Sequence, residues 1–214
     1  MSNTRTKNVS GTQEPRRRER RSNETRERIY RAAVKLFAER GFFETTTEQI
    51  TEAADVGQGT FFNYFPSKQH VLGVLAEIQL HKIHAARQRA VDDGDPTGDV
   101  LHALIHEITA EPGQSPALTR ALFSAILSNE IVLKLVGETL SQGRREVAKI
   151  MAAGQSRGEI RHDRKPTELA LAFQRGLLGT LLLWAVHPKA NLKSWLEQAF
   201  RDFWATAAAT KGTK

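Results

Sequence analysis

With 214 residues, 40% of them hydrophobic and 26% charged, the chain can bury a sizeable core and has the composition of a soluble globular protein. The absence of cysteine excludes disulfides and thiolate chemistry, as metal ligand or as nucleophile. Of the net charge of +7, residues 1–46 supply +6, from 12 Lys/Arg against 6 Asp/Glu, so the basic excess sits at one end.

Residues 1–21 are polar and basic, ending in Arg16-Arg17-Arg18-Glu19-Arg20-Arg21, without apolar periodicity. That composition predicts a disordered basic arm that follows a phosphate backbone or enters a minor groove. From Ser22 or Asn23 the spacing of Ile29, Ala32, Ala33, Leu36 and Phe37 predicts a helix that stops at Gly41. Phe42 and Phe43 are expected to add to the core beneath it. Thr46 with Gln49 has the form of a capping box, and Ile50, Ala53 and Ala54 make one apolar face of a second, short helix. Asp55, Gly57 and Gly59 interrupt it, and Phe61, Phe62 and Phe65 begin another short run. Two short helices across a tight turn form a helix-turn-helix, whose second helix can lie in the DNA major groove.

Beyond Ser67, residues 68–91 read as a long helix that stops at Asp92-Asp93-Gly94-Asp95-Pro96. Five more helices follow. They run through Val100 to Ile108, from Ser115-Pro116 to about Ser128, over 129–157, from Pro166 to about Val186, and from Asn191 through Trp204. No strand alternation occurs. The expected fold is all-α, with a basic arm (1–21), a three-helix DNA-binding domain (22–68) and a larger helical domain (69–210). The longest uncharged apolar run, Gly176 to Val186, falls short of the ~20 residues a membrane span needs. With no apolar signal region at the N-terminus, the expectation is a cytoplasmic protein without a membrane partner.

Residues 25–72 carry Ile29-x-x-Ala32-Ala33-x-x-Leu36-Phe37-x-x-x-Gly41-Phe42, then Thr45-Thr46-x-x-x-Ile50, Ala53-Ala54, Val56, Gly59-Thr60, Phe65 and Ser67-Lys68. This ordered spacing resembles the DNA-binding domain of the tetracycline-repressor (TetR) family of bacterial transcription regulators. Gly158-Glu159-Ile160-Arg161-x-Asp163 before Pro166, and Trp184 in the helix that follows, resemble features of that family's regulatory domain. The resemblance implies a homodimer on double-stranded operator DNA, most simply a repressor released by a small-molecule effector. Carried over by position, it implies DNA contacts from Thr46, Thr47, Gln58, Gly59, Thr60, Phe62, Asn63, Tyr64 and Lys68. Gln58 and Asn63 have the paired donor and acceptor that read adenine, and Thr60 can bond phosphate or touch a thymine methyl. The chain departs from the family pattern at Asp55 in the turn, Gly57 at the cap, Phe62 in place of a common Tyr and Tyr64 in place of a common His.

Small residues Ala172, Gly176 and Thr180 at four-residue spacing, and the aromatic stripe with Trp195, Phe200 and Phe203, suggest a dimer interface built on the last two helices. Each stripe also reads as core. His102 with His106, and His81 with His84, have helical spacings able to hold a metal. Without acids at clear positions they read as surface or pocket hydrogen-bonders, and no metal, cofactor or catalytic residue is expected. His84, His106, Phe123 and Trp184 are candidates to line an effector pocket. The absence of a phosphate-binding glycine loop or nucleophile elbow speaks against an enzyme. The alternative is a helical effector-binding or protein-interaction dimer without specific DNA binding.

Overall fold

The computed structural model describes residues 13–209, and the regular structure among them is helical. The order is α1 (Gln13–Arg40), α2 (Thr47–Ala53), α3 (Gln58–Tyr64), α4 (Lys68–Val91), α5 (Thr97–Thr109), a 3-10 turn (Pro112–Gln114), α6 (Pro116–Ser128), α7 (Glu130–Ser156), α8 (Pro166–Val186) and α9 (Leu192–Ala207). The only pairing of extended backbone among these residues is an isolated bridge between Ile160 and Ala208.

Helix ends follow the local chemistry. Ser115 caps α6 by accepting from the Leu118 N–H, with Pro116 as the first helical residue, and Asn129 and Asn191 cap α7 and α9 in the same way. α1 ends on Gly41 and α7 is followed by Gly158, both left-handed (φ 86° and 71°), a conformation that costs glycine nothing.

One expectation fails at the N-terminus. Residues 13–21 are not a disordered arm but the first turns of α1, while residues 1–12 lie outside the described residues, as does Thr210 at the far bound of the larger unit. The Arg/Glu-rich sequence has high intrinsic helix propensity, Pro15 stands in the first turn where proline is tolerated, and Arg20 pairs with Glu24 one turn on (3.1 Å).

Two apolar cores result. The first joins Ile29, Ala33, Phe37 and Phe42 to Ile50, Phe61, Phe65 and Val71, and continues into Leu118, Leu122 and Ala125 of α6. The boundary expected near residues 66–70 therefore falls inside one core. A unit of roughly 50 residues has little surface to bury by itself, and the contact of α1 with α6 extends what it can bury. The second core is formed by α4, α5, α7, α8 and α9 around Leu101, Leu104, Ile150, Met151, Leu169 and Phe173.

The loop after α7 ties this second half together. Arg157 donates to the carbonyls of Ala90 (2.7 Å) and Asp95 (3.1 Å) and to the Thr97 hydroxyl (2.9 Å). Glu159 accepts from the Thr97 N–H (2.6 Å), supplying the cap that Pro96 cannot give α5. Burial pushes the Glu159 carboxyl up, but hydrogen bonds from Arg157 and Thr97 outweigh it and hold the group below the ordinary carboxylate range.

α8 corrects the membrane argument. The uncharged run is short, but the helix continues back through Arg175 to Pro166, and its 21 residues are long and apolar enough to span a bilayer by length and composition. In the fold it packs on α6, α7 and α9.

Candidate nucleic-acid interface

α2 and α3 are held by their buried faces. Ile50 is fully buried from α2, and Phe61 and Phe65 from α3 and its end, with rings 5.6 Å apart. The capping box is present as expected: Thr46 Oγ1 accepts from the Gln49 N–H (3.3 Å), and Gln49 Oε1 accepts from the Thr46 N–H (3.1 Å). Asp55 takes the left-handed turn conformation (φ 50°), which Asp tolerates better than most residues. Gly57 stands at the cap of α3 with no side-chain bond, so the first amides of α3 are left for an outside acceptor.

The outward face of α3 is the row singled out by sequence. Gln58, Gly59, Phe62 and Asn63 are exposed; Thr60 and Tyr64 are half-buried. Thr46 is exposed and Thr47 half-buried at the start of α2. Gln58 donates to Glu48 of α2 (3.3 Å), which leaves its amide oxygen outward as an acceptor. The Glu48 carboxyl is held below its usual range by a hydrogen bond to its own backbone N–H and by the Thr46 hydroxyl.

One aromatic assignment, that of Phe43 to the core, changes. Phe62 is 53% exposed, and Phe43 is 50% exposed beside the fully packed Phe42. Adjacent helical residues lie about 100° apart, so Phe61 and Phe62 cannot both face one core. Ala53 is exposed as well, leaving Ile50 and Ala54 as the packed face of α2.

Lys68 differs from expectation. Its ammonium donates to the carbonyls of Phe42 (2.9 Å), Phe43 (3.1 Å) and Thr45 (2.7 Å), with Nζ 4.8 Å from the Phe42 ring centroid. Three donors are all that an ammonium has, so none points to a phosphate. Burial lowers the Lys68 pKa, countered in part by Glu44.

The four effector candidates are not brought to one place. His84 is exposed on α4; His106 bonds Glu197 of α9 (2.9 Å); the Trp184 indole donates to the Ala190 carbonyl (2.9 Å); and Phe123 is half-buried on α6. A cavity of about 20 Å³ between α5, α8 and α9 is lined by Ile105, Phe173, Leu177, Leu196, Phe200 and Phe203, among others, but by none of these four. It has room for little more than water, whereas small-molecule pockets measure roughly 300–1,000 Å³.

The dimer candidates divide. Phe203 packs on Phe173 (centroids 5.3 Å apart), and Phe200 stacks on Trp204 (6.0 Å) and lies against His102 (4.9 Å), so much of the α9 stripe serves its own subunit. Trp195 is half-buried beside His187. On α8, Gly176 is exposed, Ala172 and Thr180 are half-buried, and Leu182, Leu183 and Val186 stand 46%, 55% and 58% exposed. The large apolar side chains without cover on α8 are those last three, not the small-residue row.

A buried hydrophobic anchor beneath an exposed polar row, on a short helix entered through a tight turn, defines a helix-turn-helix DNA-binding regulator. Residues 29–75 match the model of the bacterial regulatory proteins of the tetR family. The transcriptional repressor KstR of Mycolicibacterium smegmatis is 27% identical over 161 residues, which cover 75% of this chain and 76% of KstR. Thermus thermophilus FadR, a TetR-family repressor solved with lauroyl-CoA, superposes with a TM-score of 0.62 at 26% identity, over 88% of this chain and 98% of FadR. SmeT, solved with triclosan, shares the fold with a TM-score of 0.73 at 21% identity, over 88% and 93% of the two chains. Over residues 29–75 and in its fold, the chain is similar to the bacterial regulatory proteins of the tetR family.

Proposed function

We propose that this protein is a homodimeric repressor, acting in the cytoplasm, that binds operator DNA through residues 22–68 and is released when an apolar small molecule enters residues 69–210. The carrying observation is the outward row of α3, held rigidly by Phe61 and Phe65. Gln58 and Asn63 read base edges, Thr60 and Tyr64 flank them, Phe62 offers an apolar contact, and Thr46 and Thr47 meet the backbone at the start of α2. Lys68 positions the interface rather than touching DNA. The apolar character of the effector is supported by triclosan and by the acyl chain of lauroyl-CoA in the two solved neighbours. Phe123 and Trp184, on the packed helices α6 and α8, are the candidate walls.

The test is retention of a duplex from the protein's own promoter region across a salt series. Affinity is expected to fall by roughly 0.9 log units per log unit of salt for each phosphate contacted. Gln58→Ala and Asn63→Ala should each cost about 1–3 kcal/mol of base discrimination. Binding that is absent, or indifferent to salt, would favour the dimer without specific DNA binding.

Gly59 gives a sharper test. A Cβ added there meets nothing within 4 Å, and its φ is not positive, so the fold has no need of glycine at this position. Gly59→Ala should therefore stabilise the free protein, by about 0.5–1 kcal/mol from helix propensity. The same methyl would hold DNA away from the α3 backbone, and a tenfold loss of affinity (about 1.4 kcal/mol) is expected. A higher melting temperature with unchanged DNA affinity would remove Gly59 from the interface.

A further inference from the structure

His102 and His106 lie one turn apart on α5, and Glu197 faces them from α9. His102 Nε2 is 2.9 Å from Glu197 Oε2, and His106 Nε2 is 2.9 Å from Glu197 Oε1. One ligand atom from each of the three residues lies within 4.8 Å of the others. The side chains are 29–42% exposed, so the cluster opens to solvent.

We propose that His102, His106 and Glu197 form a binding site for a divalent transition-metal ion, with Zn²⁺ the best match, that joins α5 to α9. Two imidazoles and one carboxylate are the donor set of an open tetrahedral zinc site, with water as the fourth ligand. Bonds of roughly 2.0–2.2 Å place tetrahedral ligand atoms a little over 3 Å apart. The two histidine–carboxylate distances are already near that separation, and drawing the imidazoles together asks only for side-chain adjustment. Hard cations such as Mg²⁺ prefer all-oxygen shells and are not suited by two imidazoles. The His102 ring lies against Phe200 and against the His106 ring, which limits its movement.

The proposal is separate from DNA reading and from the apolar effector, and its test does not depend on either. The full-length chain, stripped with a chelator, is titrated with Zn²⁺ in equilibrium dialysis and with Co²⁺ in visible absorption, where tetrahedral Co²⁺ absorbs strongly. The wild type is expected to bind one ion per chain and to melt at a higher temperature with Zn²⁺ present. His102→Ala and Glu197→Gln should each weaken binding by at least roughly 10–100-fold, the loss that disturbing even an outer-shell partner brings. Glu197→Gln retains shape and one acceptor, so circular dichroism should show an unchanged helical fold. His81→Ala and His162→Ala should bind as the wild type does. A wild type that takes up no stoichiometric ion, or His102→Ala and Glu197→Gln chains that bind with wild-type affinity, would overturn the site. So would equal weakening by His81→Ala.

Discussion

The double substitution Leu182→Glu with Leu183→Glu should leave a folded monomer that no longer holds operator DNA. Both side chains are about half exposed on α8, so within one subunit the change costs little packing. In a two-fold dimer each carboxylate would be buried against its symmetry mate's apolar surface without a partner, which costs several kcal/mol per interface. Operator recognition needs two half-sites read together, about 34 Å apart. A monomer should fall to the non-specific level, roughly 10³-fold weaker or more. Light scattering at micromolar concentration reports the assembly, and filter retention reports the affinity. A double variant that still scatters as a dimer would move the interface elsewhere, with the exposed Leu127, Ile131 and Leu133 around the α6–α7 junction as the next surface to test.

Lys68→Met should destabilise the first core by about 2–3 kcal/mol, the scale of charge-assisted hydrogen bonds lost at a partly solvated site. It also separates two roles for this residue. If Lys68 contacted phosphate, its loss would lower the salt slope by roughly 0.9. As a clamp on the Phe42, Phe43 and Thr45 carbonyls, its loss should weaken DNA binding through a loosened α1–α2 loop and leave the slope unchanged. Denaturant melts and the salt series together decide it.

What the sequence discloses here is what local chemistry controls. Thr46 with Gln49, Ser115-Pro116, Asn129 and Asn191 announce helix starts because their side chains bond amides three residues away. Asp55 sits in the left-handed turn for a reason visible in the residue itself. What stays hidden depends on distance along the chain. Glu197 is 91 residues from His106, so no spacing could pair the histidines with their acid. Lys68 reaches back 23–26 residues to carbonyls that carry no sequence signature. Paired aromatics mislead for another reason: Phe42-Phe43 and Phe61-Phe62 are equally apolar, yet geometry admits one of each pair to the core. Residues 13–21 are helical rather than disordered because their Arg/Glu composition suits a solvated helix as well as a disordered chain.

α4 is fastened at both of its ends. Lys68, its first residue, is fastened to the α1–α2 loop, and Ala90, near its end, offers its carbonyl to Arg157 beyond α7. A rod held at both tips cannot slide along its axis; it can only pivot. At 1.5 Å per residue its 24 residues make a lever of roughly 36 Å. A swing of about 5° at the Arg157 end would carry the Lys68 end by about 3 Å, the recognition helix with it, a distance comparable to the rise of one DNA base pair. A displacement of that size would shift the α3 row by about one base step without unfolding α4.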